Sequence, residues 1–154
     1  MDYAQAQEYL KAALTFGIKM GLHRMIRLME LLQNPEKQLR CIHIAGTNGK
    51  GSVSSYCAAI LACAGHRVGV YTSPYLVRFS ERIRVIDGRP GLDELLRDEA
   101  AGEISPDEFA AAMSQIRSAV ERMTAEGYEH PTEFELITAA GFLHFAASRC
   151  DVVV

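Results

Sequence analysis

The chain has 154 residues, 49% of them hydrophobic and 23% charged, with 12 Gly, 5 Pro and a formal net charge of −3. That length suits one domain, and the near-average composition excludes a disordered or collagen-like chain. The weak acidity gives no bulk attraction for nucleic acid, and the longest run free of Asp, Glu, Lys, Arg and His, residues 51–65, is too short to span a bilayer. The opening MDYAQAQEYL has neither a basic nor an apolar signal region, so no signal peptide and a cytoplasmic location are expected. Cys41, Cys57, Cys63 and Cys150 lack CxxC spacing, which predicts small apolar core residues in a reducing compartment rather than a zinc or disulfide framework.

In chain order, Tyr3, Ala6, Tyr9, Leu10, Ala13 and Leu14 recur at helical spacing. FGIKMG, bracketed by Gly17 and Gly21, reads as a break. A second helix follows with Leu22, Met25, Ile26, Met29 and Leu32 on one face, ended by Asn34 before Pro35. Residues 41–45 form an apolar run that predicts a buried strand, with His43 packed in it. The glycine-rich GTNGKGS comes next, then a helix over 53–64 closed by Gly65, and a second strand over 67–71. Strand, turn, helix and strand within this short span form a βαβ unit and predict a parallel sheet.

Thr72, Ser73 and Pro74 form a loop at the end of the second strand. Residues 82–86 alternate polar and apolar before a turn at Asp87 and Gly88. Residues 89–104, with Gly91, Gly102 and five acidic side chains, read as an exposed, poorly ordered or partner-facing excursion with a short helix over 92–100. Ser105, Pro106 and Glu108 supply an N-cap, an N1 proline and a capping-box acid for a helix whose face is Phe109, Met113, Ile116, Val120 and Met123. Thr132 and Glu135 open another helix, running to about residue 148. The terminal valines predict a third strand. A domain seldom ends in mid-strand, so a truncated chain is expected.

GTNGKGS carries the chemistry. Phosphate binding needs backbone N–H groups converging on one point, which glycines permit, and a following helix aims its N-terminal dipole at the same anion. Lys50 adds a positive charge, and a hydroxyl near such a lysine commonly reaches a metal ion. The spacing departs from the usual phosphate loop: Gly46 lies only three before Gly49, and Gly51 separates Lys50 from Ser52.

IHIAGTNGKGSV resembles the phosphate loop of the folylpolyglutamate synthase/dihydrofolate synthase family, in the Mur-ligase superfamily of ATP-dependent amide-forming ligases. FGIKMGLHRM, YTSPYLVRFSERIRV and PTEFELITAAGFLHF resemble further family segments in the same order, covering nearly the whole chain. The resemblance implies an α/β, P-loop NTPase-like fold, a mainly parallel sheet flanked by helices, as in the Mur-ligase ATPase domain. It also implies that residues 1–154 are an incomplete N-terminal ATP-binding domain. Its parts would be a helical lead-in (1–40), a P-loop βαβ core (41–75), a hairpin and excursion (76–104), and helices with a last strand (105–154).

The implied reaction adds L-glutamate to a folate or dihydropteroate carboxylate through an acyl phosphate, with ATP and Mg²⁺. The implied triphosphate cradle is Gly46, Thr47, Asn48, Gly49, Lys50, Gly51 and Ser52. Lys50 and Ser73 would be catalytic, and Ser73, with Ser52, would ligate Mg²⁺ in place of the hydroxyl that Gly51 lacks. Leu22, Arg24, Arg82, Thr132 and Phe134 would face the pterin or folate. On the residues alone, Ser73 is a turn residue, Thr132 a helix cap, Phe134 a core aromatic, Arg24 a solvated helix charge and Arg82 a strand flank; Glu133 and Glu135 are candidate site acids, with capping and dipole pairing the stronger reading for Glu135. Relatives more often carry His at the position of Tyr75, and they are often monomeric. They run to ~400 residues, two to three domains. An acidic Mg²⁺ ligand, a metal-site His, a modified Lys and a C-terminal domain would therefore lie outside this chain, leaving it inactive alone.

Three other readings compete: a nucleotide-binding module without catalysis, a Mur-type ligase acting on a peptidoglycan or cyanophycin precursor, and a kinase. The GLHR, SERIRV and PTEFE segments argue against the second. The Lys50–Gly51 spacing argues against the third, as does Asp151 preceding its strand rather than following it. The expected partners are the small-molecule substrates, with neither nucleic acid nor membrane.

Overall fold

The computed structural model describes residues 1–17 and 20–154. The expected break FGIKMG therefore lies partly outside the described residues. The chain forms two compact units, one of Met1–Gln38 with Ser105–His144 and the other of Leu39–Ile104 with Phe145–Val154. No helix among the described residues is long and apolar enough to cross a membrane.

The first unit is helical. Helix α1 (Tyr3–Ala12) opens on a capping box in which Asp2 accepts from the Gln5 amide and the Gln5 side chain returns to Asp2. It ends in a tight turn, Ala13–Phe16, which leaves Leu14 61% exposed and off the core face. Helix α2 (His23–Leu31) buries Arg24, Leu28 and Met29. Its inward face is thus rotated from the one expected, and Leu22 and Ile26 lie exposed. Helix α5 (Pro106–Ala125) has the expected Ser105–Glu108 capping box and buries Phe109, Met113, Ile116, Val120 and Met123. Helix α6 (Glu133–Ala147) follows Thr132.

The second unit holds α3 (Lys50–Cys63), β1 (Arg67–Tyr71), β2 (Ile83–Asp87), α4 (Gly88–Leu95) and β3 (Val152–Val153). Its sheet has the order β2-β1-β3 and is mixed rather than mainly parallel. Strand β1 pairs antiparallel with β2, Gly69 opposite Val85, and parallel with β3, Gly69 opposite Val153. The expected strand over 41–45 contributes an isolated parallel bridge, Cys41 to Val153. The Ile42 amide donates to the Val153 carbonyl at 2.8 Å, and the Val153 amide donates to Arg40 at 2.8 Å. His43 is exposed, not packed. Cys41 and Cys63 are exposed as well, so only Cys150 behaves as a fully buried core thiol. Ala58, Ala62, Val68, Val70, Ile86 and Val154 form the core, with Leu92 and Leu95 packed against it.

That packing corrects the expected excursion. Residues 88–95 are helical, and α4 lays its leucines on the core because Leu92 and Leu95 lie three apart on one helix face. Further along, Glu103 is stitched to β2: its side chain is 7% exposed and pairs with Arg84 at 3.1 Å and Arg78 at 2.8 Å. Ser80 Oγ donates to it at 2.6 Å. Gly102 sits at φ +72, and an added Cβ would fall 2.1 Å from the Val85 carbonyl oxygen, so the close approach requires glycine.

Burial pushes the Glu103 carboxyl up, but the hydrogen bonds from Arg78 and Ser80 and the charges of Arg78 and Arg84 outweigh it, leaving the group below its ordinary value. A depressed carboxyl stabilises the fold above its unfolded value and loses that contribution as pH falls through the folded one. Glu103→Gln should therefore be less stable than the parent at neutral pH. Its stability should also decline less steeply between about pH 5 and about pH 3, measured by urea unfolding across pH.

Candidate functional site

The carboxyl ends of the parallel segments define one edge of the sheet. Residues 40–42, β3 and β1 run the same way. The chain therefore leaves Ile42 toward GTNGKGS, and Tyr71 toward Thr72, Ser73 and Pro74, at a common edge. In open α/β sheets this edge is where ligands bind.

Gly49 makes the turn possible. It caps α3 at φ 76, ψ −1, left-handed geometry that side-chain-bearing residues rarely adopt. The helix ladder begins with the Val53 amide donating to Gly49 at 2.9 Å. The amides of the first turn precede that ladder and carry the positive end of the helix dipole. Lys50 Nζ donates to the Gly46 carbonyl at 2.6 Å and to the Thr47 carbonyl at 3.3 Å, so the loop folds around its own cation. Gly46, Thr47, Asn48, Gly49, Lys50, Gly51 and Ser52 are all exposed. An exposed helix N-terminus with unladdered amides beside a lysine is the general chemistry of an anion site.

Ser73 is exposed in its loop, and its Oγ accepts from the guanidinium of Arg82 at 3.0 Å. Arg82 is 8% exposed. Its guanidinium carbon lies 5.7 Å from the Tyr75 ring centroid and 5.9 Å from that of Phe79. Glu81 braces the same loop by accepting the amides of Leu76 at 2.8 Å and Arg78 at 2.8 Å. These backbone bonds hold its carboxyl below the ordinary value. Neither the bond from Arg82 to Ser73 nor the aromatic flank is visible in residue spacing; the alternation of 82–86 marks the strand alone.

The other named residues lie in the first unit. Arg24 is 1% exposed and is therefore not a solvated helix charge. It pairs with Glu135 at 3.2 Å and Glu129 at 3.4 Å. Glu135 in turn accepts the Thr132 amide at 2.7 Å, while its own amide donates to Thr132 Oγ1 at 3.3 Å. Arg24, Glu135 and Thr132 are thus one connected group, and Thr132 and Glu135 form the expected capping box. Leu22 (72%) and Phe134 (52%) are exposed, so Phe134 is not a core aromatic.

A cleft of 830 Å³ in the first unit is lined by Tyr9, Arg117, Glu121 and His130, among others, and by none of the candidate site residues. The Tyr9 hydroxyl lies 3.2 Å from His130 Nε2. Burial pushes the phenol up to about 12, so it stays neutral.

No family model matches the chain. The chain is 42% identical over 153 residues to a dihydrofolate synthase/folylpolyglutamate synthase of Bacillus subtilis, covering 99% of this chain and 32% of that protein. It is 38% identical over 156 residues to a folylpolyglutamate synthase of Lacticaseibacillus casei, covering 100% of the chain and 33% of the relative. Among solved structures, the folylpolyglutamate synthetase from Lactobacillus casei superposes with a TM-score of 0.82 at 33% identity, covering 100% of this chain and 35% of that one. A folylpolyglutamate synthase complex with AMPPCP and folate gives 0.81 at 31% identity, covering 100% and 34%. The chain therefore spans about a third of the length of the relatives it matches.

Removing the buried Arg24 charge strands Glu135. Arg24→Met should cost about 3 kcal/mol in urea unfolding. Glu129→Gln should cost at most about 1 kcal/mol, because the Glu129 side chain is 58% exposed.

Proposed function

We propose, from the premise that the chain belongs to the folylpolyglutamate synthase/dihydrofolate synthase family, that it supplies the ATP-binding part of a ligase joining L-glutamate to a folate or dihydropteroate carboxylate. The observation that carries the reading is the α3 N-terminus: left-handed Gly49 and Lys50 stand at the same sheet edge as the Ser73 loop. The matched complex with AMPPCP and folate supports it, as does the α/β architecture, which we propose is P-loop NTPase-like.

A carboxylate is a poor electrophile. In the proposed reaction its oxygen attacks the γ-phosphorus of ATP and ADP leaves. The glutamate amine then attacks the acyl carbon, phosphate leaves and the nitrogen sheds a proton. Two anions must meet in the first step, and the positive end of α3 with Lys50 offsets their repulsion. Lys50 would exchange its bonds to Gly46 and Thr47 for phosphate oxygens, while the amides of Gly49, Gly51 and Ser52 hold the phosphates.

Magnesium takes hard oxygen ligands. No group of three His, Cys, Asp or Glu residues suited to a metal occurs among the described residues, but the hydroxyls of Ser73 and Ser52 fit as neutral ligands to a cation carried in on phosphate oxygens. Such a cation would neutralise charge at the γ-phosphate. Leu22, Arg24, Thr132 and Phe134 are proposed for the pterin side. Of these, Arg24 serves through Glu135 as much as through any ligand, and Leu22 and Phe134 offer exposed apolar surface.

For this chain by itself the expected activity is nucleotide binding. Lys50→Met should weaken ATP binding at least tenfold by isothermal titration calorimetry. Stability should change by less than about 0.5 kcal/mol, since the side chain is exposed. Equal affinity in parent and variant would remove the loop from the site.

A further inference from the structure

We infer that Arg82 is a positioning residue that acts through Ser73, rather than a contact to the pterin or folate. The inference rests on the nucleotide-binding reading of the Ser73 edge. Arg82 and Ser73 are nine residues apart, yet the guanidinium donates to Ser73 Oγ at 3.0 Å. Its carbon lies within 5.7 and 5.9 Å of the Tyr75 and Phe79 ring centroids, and the residue is 8% exposed, whereas Ser73 is exposed. Arg82 is thus the held partner and Ser73 the accessible one.

A serine hydroxyl has two lone pairs, one proton and a freely rotating O–H. The Arg82 N–H occupies one lone pair. The other lone pair and the proton then lie away from the guanidinium, on the solvent side of the loop, where a phosphate or its cation arrives. A planar guanidinium is suited to this task, because its donors are fixed relative to the packed plane and little rotamer entropy is lost on bonding. Glu81 completes the frame by tying down the amides of Leu76, Val77 and Arg78, so the loop that carries Ser73 returns to Arg82 without slack. Preorganising a single hydroxyl in this way changes affinity by sparing the ligand the cost of ordering it.

The test is a double-mutant cycle read by calorimetric titration of the full 154-residue chain with ATP, with and without Mg²⁺. Thermal unfolding and dihydropteroate titration accompany each variant. Ser73→Ala should reduce the Mg²⁺-dependent enhancement of ATP affinity by roughly tenfold, and Arg82→Met should do the same. The pair should do no worse than Ser73→Ala alone. Arg82→Lys keeps a charged donor and should restore part of the enhancement, which also covers the case in which Arg82→Met folds poorly.

Additive losses in the cycle would overturn the inference. So would an Arg82→Met chain that keeps the parent's Mg²⁺ dependence, or an Arg82 variant whose defect lies in dihydropteroate binding alone. If the parent chain binds ATP with Mg²⁺ dependence and only Ser73→Ala weakens it, the positioning role fails while the nucleotide reading stands. If the parent shows no such binding, the nucleotide reading fails and this inference with it.

Discussion

Val153 is the hinge of the second unit. Its amide and carbonyl bond to Arg40 and Ile42 on one side, and its neighbour Val154 bonds to Gly69 and Tyr71 on the other. Residues 40–42 and β1 are thereby held parallel on either flank of β3, which comes from the far end of the chain, and both loops that follow them emerge at one edge. Without that stitching the glycine-rich loop would be an exposed turn with no defined neighbour. With it, the α3 N-terminus and the Ser73 loop share a surface. The parallel register is short, but it is backed by Val68, Val70 and Val154 in a core where Ala58 and Ala62 let α3 lie close to the sheet.

Buried arginines do much of the remaining organisation. Arg24 and Arg82 are each almost withdrawn from water, and Arg84 is 12% exposed at its side chain. Each meets a defined acceptor: Glu135 and Glu129, Ser73, and Glu103. A buried guanidinium tolerates little displacement, because losing its acceptor leaves an uncompensated charge in low dielectric. These pairs are weak evidence for stability as such, yet they restrict where a loop or helix face can go. Glu103 holds residues 99–103 against β2, and Arg24 sets the rotation of α2. Desolvation lowers the Arg84 guanidinium, and the Glu103 charge opposes that shift.

Structure is legible in the sequence where one residue satisfies another a few positions away. The Ser105–Glu108 and Thr132–Glu135 capping boxes, the α5 face from Phe109 to Met123, and β1 all follow from short-range spacing. What escaped depends on partners distant in the chain. Periodicity put Met25 and Ile26 inside α2, because nothing nearby announces that Glu135, 111 residues on, neutralises Arg24. The excursion looked solvated because acidic residues dominate it, while Leu92 and Leu95 supply the anchor and two arginines absorb Glu103. The βαβ pattern suggested a mainly parallel sheet, but the antiparallel return of β2 depends on the loop around Glu81, whose geometry composition does not encode. At the candidate site, the glycine turn that opens α3 is legible in GTNGKGS, whereas the Arg82 bond to Ser73 needs coordinates.

The central claim is that phosphate groups are taken at the α3 N-terminus beside the Ser73 loop. The most direct measurement is backbone amide chemical-shift mapping of the isotope-labelled chain titrated with AMPPCP and Mg²⁺. The account predicts saturable shifts concentrated on Thr47, Gly49, Lys50, Gly51, Ser52 and Ser73. Shifts confined instead to the cleft lined by Tyr9, Arg117 and His130, with the glycine-rich loop unmoved, would contradict it.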